Sequence, residues 1–214
     1  MLRLQGTGTT GLVFSNFEGD TVGQPPLTGG ADQPEAWGAS PSVSVTIVAG
    51  AGGIVSQGLQ ISDSGVQGNG WARYGFGPFD SGVVTIEGIC SINMPATMDI
   101  CETSANAGTS ISRVLANFRY EMYGLSVTAM GGHYQPNRPF RFRIQVNMTA
   151  KRWSLVIDNE LNGFGDDQVI SEIDFVNDPS LITSIGKYWT SYLGGSPTIT
   201  GQIIVYDDIF IRHD

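Results

Sequence analysis

Phe140-Arg141-Phe142-Arg143-Ile144-Gln145-Val146-Asn147-Met148 sets an apolar residue at every second position and a charged or amide residue between. Successive side chains of a β-strand leave opposite faces, so the segment predicts a strand with one face in a core and the other in water. Val84, Ile86, Cys90 and Ile92 repeat the pattern against Thr85, Glu87, Ser91 and Asn93.

Outward from these two segments, β-branched and aromatic runs of strand length recur between Gly, Pro, Asn and Asp clusters, and amphipathic helical periodicity is almost absent. Strands are expected at Leu12–Phe17, Val43–Ala49, Gly58–Ser62, Trp71–Phe76, Val83–Asn93, Thr97–Thr103, Ile111–Arg119, Leu125–Ala129, Pro139–Thr149, Trp153–Asp158, Val169–Phe175, Ile185–Tyr188 and Thr198–Arg212. A turn or two of helix is expected near Asp178–Thr183. Many short strands punctuated by 29 glycines argue for an all-β antiparallel sandwich or barrel. Gly23–Gly38 and Gly50–Gly53 read as surface loops. The 214 residues divide into a flexible lead-in over 1–11 and a single domain over 12–214.

Apolar residues make up 41% of the chain and charged residues only 14%, enough for a sizeable core under a Ser, Thr, Asn and Gly surface. The formal net charge is -9, and Lys151 and Lys187 are the only lysines. No basic stripe exists to neutralise phosphates, which argues against nucleic acid and anionic membrane as partners. No apolar run approaches the roughly 20 residues of a membrane span, and Met1–Thr10 lacks the pattern of a secretory signal. The expectation is a virion-surface or extracellular protein, a component of an assembly or homo-oligomer, with glycans or neighbouring subunits as partners.

Trp153-Ser-Leu-Val-Ile-Asp158, the turn Asn159-Glu-Leu-Asn-Gly163 and the last strand Ile203-Ile-Val-Tyr-Asp207-Asp208-Ile-Phe-Ile211 resemble the closing half of concanavalin-A-like lectin and laminin-G-like jelly rolls. Phe14-Ser-Asn-Phe-Glu18-Gly-Asp20, the Pro-rich loop after it and Trp37 resemble their entry segment. The resemblance implies a two-sheet jelly roll. It leaves function open, since lectins, hydrolases, lyases and structural domains share this sandwich.

The same resemblance supplies two tests for an enzyme. Glu172-Ile-Asp174-Phe-Val-Asn177 is similar to the alternating acid series of the family's glycoside hydrolases, but Asn177 stands where the third acid would be, and an amide cannot move the catalytic proton. Lyases on this fold use Arg, Gln or His, and Tyr; Arg119-Tyr120, Arg141, Arg143, Gln145, His133-Tyr134 and Tyr188 supply the residue types without the spacing. His133 and His213 are the only histidines, so neither a nucleophilic triad nor a histidine metal pair is supported. A non-catalytic module is expected, with a polysaccharide lyase or glycoside hydrolase as the further alternative.

Oxygen-rich clusters at Glu18-Gly-Asp20 and Asp207-Asp208 lie on the first and last strands, where a structural calcium ion held by Glu18, Asp207 and Asp208 would pin the chain ends together. Because neighbours on a strand face opposite ways, one of the two adjacent acids must point to an apolar side, where it needs a cation or donors. Cys90 and Cys101 flank a turn at Pro95-Ala96, but their alternation puts them on different faces and favours two separate thiols. Asn147-Met-Thr149 is formally a glycosylation acceptor, but lies in a strand.

Sugars present apolar C–H faces that stack on aromatic rings. Tyr188, Trp189 and Tyr192, read as a Gly/Ser-bounded loop, are one candidate platform, and Trp71 within Gly70-Trp-Ala-Arg-Tyr74 is a second. Two settings fit a lectin-like jelly roll: a virion decoration or adhesion subunit, and a secreted carbohydrate-binding module.

Overall fold

The computed structural model describes residues 11–64, 68–93, 99–105, 110–115, 119–122, 125–128, 137–158, 168–175, 180, 182–192 and 201–214. Its strands are β1 (Gly11–Ser15), β2 (Ala36–Ala39), β3 (Val43–Ala49), β4 (Gln57–Asp63), β5 (Gly70–Phe79), β6 (Val83–Ile92), β7 (Asp99–Ala105), β8 (Ser110–Leu115), β9 (Arg119–Met122), β10 (Leu125–Thr128), β11 (Phe140–Asn147), β12 (Arg152–Asp158), β13 (Gln168–Asp174), β14 (Ile185–Tyr192) and β15 (Ile203–His213). Among the described residues there is no helix, so none is long and apolar enough to cross a membrane.

β11 behaves as its alternation requires. Phe140, Phe142, Ile144, Val146 and Met148 are buried, while Arg141, Arg143 and Gln145 between them are exposed. The strand is central, with Ile144 opposite Ile86 of β6 on one side and Leu155 of β12 on the other. The first sheet runs β13-β12-β11-β6-β15-β4-β3, and the second runs β10-β9-β8-β7-β14-β5-β2. Every recorded pairing is antiparallel.

The two sheets are joined by one apolar core that draws Ile86, Phe142, Ile144, Leu155, Ile204 and Tyr206 from the first and Ala72, Tyr74, Ile185 and Tyr188 from the second. Aromatic rings meet across the interval, where Phe142 and Tyr188 lie 6.4 Å apart between ring centroids, and Tyr74 lies 6.0 Å from Tyr188 within the second sheet. The architecture is the two-sheet sandwich expected from the pattern.

β15 is shared unequally. One edge pairs with β6 along most of its length. The other pairs first with β4, ending at Tyr206 opposite Leu59, and then with β1, beginning at Ile209 opposite Ser15. The handover falls on Asp207 and Asp208, where the β6 pairing slips and Asp208 adopts a φ of 50°. Asp tolerates this left-handed region better than most residues, and a bulge of this kind redirects the side chains around it.

Several boundaries differ from the sequence reading. β2 lies inside the expected Gly23–Gly38 loop and just beyond it. Ile111–Arg119 resolves into β8 and the start of β9, and β14 continues through Tyr192. Of the expected helical turn, Ser180, Ile182 and Thr183 are not helical, and the remaining positions lie outside the described residues. Cys90 is a buried free thiol on β6, whereas Cys101 is on β7 in the other sheet. The hairpin that would have set them opposite one another therefore does not form.

Truncating Ile144 to Ala removes fully buried methyl and methylene groups from the sandwich centre and should cost about 2–5 kcal/mol. Arg143→Ala, on the wet face of the same strand, should cost far less. Urea unfolding measures both, with a fall in midpoint for Ile144→Ala at unchanged slope.

Candidate functional site

Strand alternation divides β14 and β5 cleanly. Tyr188 and Thr190 on β14, and Ala72 and Tyr74 on β5, are buried between the sheets; Lys187 and Trp189, with Trp71 and Arg73, are half-buried on the outer face of the second sheet. β14 and β5 are neighbours with Trp189 opposite Arg73. The two indoles consequently meet edge to face with centroids 4.9 Å apart.

Arg73 is wedged against both rings, its guanidinium carbon 5.2 Å from the Trp189 centroid and 5.9 Å from that of Trp71. Its Nη2 donates to Glu35 Oε1 at 2.7 Å, and the backbone N–H of Glu35 donates to the Arg73 carbonyl at the same distance. Arg73 Nε is buried without a hydrogen-bond partner among the described residues. Ring contact and the Glu35 carboxylate therefore hold the guanidinium in place. Gly38 of β2, opposite Trp71, forms its seat: a Cβ there would fall 2.7 Å from the Trp71 ring. Gly75 likewise leaves room for Glu35, whose Oε2 overlies it too closely for any side chain.

Of the four residues expected to contact a ligand, Trp189 and Trp71 are brought together. Tyr188 is corrected: it is fully buried, because β14 continues as a strand where a loop was expected and alternate residues must turn inward. Tyr192 ends β14 in register with Asp99, and its side chain lies outside the described residues. Arg73, Glu35 and Lys187 were not anticipated. Arg73 sits between Trp71 and Tyr74 in the sequence and was the one available signal, since a cation two residues from a Trp on a strand shares its face.

Glu18, Asp207 and Asp208 collect near the β15 handover. Asp207 is buried and accepts a short hydrogen bond from Ser56 Oγ and another from the Asp208 N–H at 2.8 Å; Glu18 Oε1 accepts from the N–H of Gln57 at 3.0 Å. The first two residues of this contact, Ser56 and Gln57, are adjacent, so one short segment ties both the N-terminal acid and the C-terminal strand. Among the described residues no group of three or more His, Cys, Asp or Glu is placed to hold a metal ion. Burial, opposed by the Ser56 hydrogen bond and reinforced by nearby Asp208 and Glu18, pushes the Asp207 carboxyl up to about 6. Burial also raises Asp208, with Arg141 opposing it.

Glu172 and Asp174 stand exposed on β13, an edge strand of the first sheet. Both engage one guanidinium: Arg152 Nη1 lies 3.2 Å from Glu172 and Nε 3.3 Å from Asp174. Asn177, Asp178, His133 and Tyr134 lie outside the described residues, as do the side chains of Arg119 and Tyr120. Arg143 pairs with Glu87 at 2.6 Å.

No family model matches the chain, and no curated protein matches it. Solved structures do. A carbohydrate esterase from the Shiga toxin-encoding bacteriophage phi24B superposes with a TM-score of 0.57 at 10% identity, over 97% of this chain and all of that one. Peanut lectin gives 0.55 at 12% identity over 84% of this chain and 97% of its own. Arcelin-5, a lectin-like defence protein from Phaseolus vulgaris, gives 0.53 at 11% identity over 97% and 98%. The fold is a concanavalin-A-like jelly roll. That confirms the resemblance seen in the first and last strands, and the jelly roll carries its indole pair on the outer face of one sheet.

A carboxyl whose folded value is raised contributes stability that is fully present below its unfolded value near 4 and is lost as pH rises through about 6. Above pH 6, ionised Asp207 should therefore burden the fold by on the order of 2–3 kcal/mol. Asp207→Asn is expected to melt higher than the parent at pH 7, with the difference closing as pH falls towards 4. Thermal unfolding across this range checks it. A rise in the parent's midpoint on adding calcium would show instead that a cation can compensate the same charge.

Proposed function

We propose that the protein is a non-catalytic surface module that binds carbohydrate through Trp71 and Trp189. The observation that carries this reading is the pair of half-buried indoles, from adjacent strands, fixed by Arg73 and Glu35 on the outer face of the second sheet. Such a pair offers an apolar ring surface beside immobilised donors and acceptors, which is the combination that stacks a pyranose and orients its hydroxyls. The lectin-bearing fold lends support at the level of architecture.

A catalytic role is less well supported. The hydrolase-like carboxylates Glu172 and Asp174 are on the other sheet from the indole pair, exposed and tied to Arg152. A general acid with raised affinity for its proton needs the opposite surroundings. On affinity gels carrying β-glucan, xylan or galactomannan, the protein should be retarded by at least one polymer, and Trp189→Ala should abolish the retardation. Incubation with the same polymers should release no reducing ends. Retardation that survives Trp189→Ala, or turnover lost in Glu172→Gln, would contradict the proposal.

The setting we propose is a virion or other extracellular surface, with the module packed against a second copy of itself. On the outer side of the first sheet Leu12 and Phe14 are 36% and 47% exposed, and Phe14 meets Phe210 edge to face at 6.3 Å. Ordered apolar side chains in water are a cost that a neighbouring copy would remove. Sedimentation velocity is expected to show concentration-dependent association that Phe14→Ser weakens. A monomer at all concentrations would reject the self-packed setting while leaving carbohydrate binding to its own test.

A further inference from the structure

Lys187 is the one lysine on the indole-bearing face. The other lysine, Lys151, spends its ammonium on the Ile182 carbonyl at 2.9 Å. Lys187 has no ion-pair or hydrogen-bond partner among the described residues, although the neighbouring cation, Arg73, is matched by Glu35. Two residues along a strand separate Lys187 from Trp189, so their Cα atoms are about 6–7 Å apart and both side chains leave the same face.

The sheet is also opened at this point. On one side of β14 the pairing jumps from Ile185 opposite Phe79 to Lys187 opposite Gly75; on the other it slips from Ile185 opposite Ala105 to Lys187 opposite Ser104. Both neighbours therefore fall out of step at Gly186, and such irregularities re-aim the adjacent side chain. Opposite Lys187, Gly75 contributes no side chain of its own, and the Glu35 carboxylate that Arg73 engages lies over it.

We infer that this site takes a glycan whose stacked sugar carries a carboxylate, with the ring on Trp189 and the carboxylate on the Lys187 ammonium. The inference rests on the proposed function and adds the chemical class of the ligand. Among the described residues no acid pairs with the Lys187 ammonium, and a charge-assisted hydrogen bond to a ligand carboxylate is roughly twice as strong as a neutral one. The chain's net charge of -9 works against a densely charged polyanion at long range, so the contact is a local one, made by an individual acidic sugar.

The test uses matched pairs that differ only in whether the carboxyl is free: trigalacturonate against its methyl ester, and sialyllactose against its methyl ester, both followed by tryptophan fluorescence. The intact chain should prefer the acid member of at least one pair about tenfold, which a single charge-assisted contact supplies. Lys187→Gln should erase the preference, and Lys187→Arg should retain it. Circular dichroism of both variants should match the parent. Equal affinity for acid and neutral members, lost in Trp189→Ala, overturns the inference and leaves carbohydrate binding standing. Preference for the acid that persists in Lys187→Gln also overturns it. No affinity for either member of any pair, or for the neutral polymers above, overturns both.

Discussion

Tyr188 lies between the sheets against Phe142 and Tyr74, and the outer face of the molecule depends on that burial. A strand cannot turn one residue inward without turning its neighbours outward. With Tyr188 committed to the core, Lys187 and Trp189 must leave the second sheet on its solvent side. Tyr74 imposes the same condition on β5 and sends Arg73 and, two residues before it, Trp71 to that face. The indole pair is thus a product of core packing: two large inward rings determine where two large outward rings can stand.

Much of the fold was legible because alternation is a local signal. Phe140 to Met148 and Val84 to Ile92 announce which residues enter the core without reference to any partner, and both segments proved central. β2 escaped because Ala36-Trp37-Gly38-Ala39 contains no β-branched residue; it is a strand through its pairing with β5, and pairing is not visible along the chain. At the site, aromatic residues could be picked out but their sides could not. Tyr188 was expected on the surface because the segment to Tyr192 read as a Gly/Ser-bounded loop, whereas the pairings of β14 with β5 and β7 carry it on as a strand. Glu35 is 38 residues from Arg73, and nothing at that separation marks a partner.

The two acids of the last strand show a different limit. Counting parity assumes an unbroken pleat, and on that assumption Asp207 and Asp208 must point to opposite faces. They do differ in burial, but through a bulge at which β4 gives way to β1. The expected tie between the chain ends exists as hydrogen bonds from Ser56 and Gln57 to Asp207 and Glu18. The donors come from Ser56 and Gln57, 151 residues from Asp207 and 39 from Glu18, and nothing along the chain marks them as the partners of those acids.

The pairing of β1 with β15 also has a mechanical consequence. The strands are antiparallel with Gly11 beside Arg212, so the first and last described strands leave the fold at the same corner. A load pulling these ends apart acts across the ladder and opens its hydrogen bonds in sequence, one rung at a time, whereas a load along parallel ends would strain all rungs together. Tension applied through the ends would peel β1 from the edge first and leave β15 clamped between β6 and β4. A force applied between one end and a ligand held on the second sheet would bypass that weak corner and load the sandwich across its packed interior.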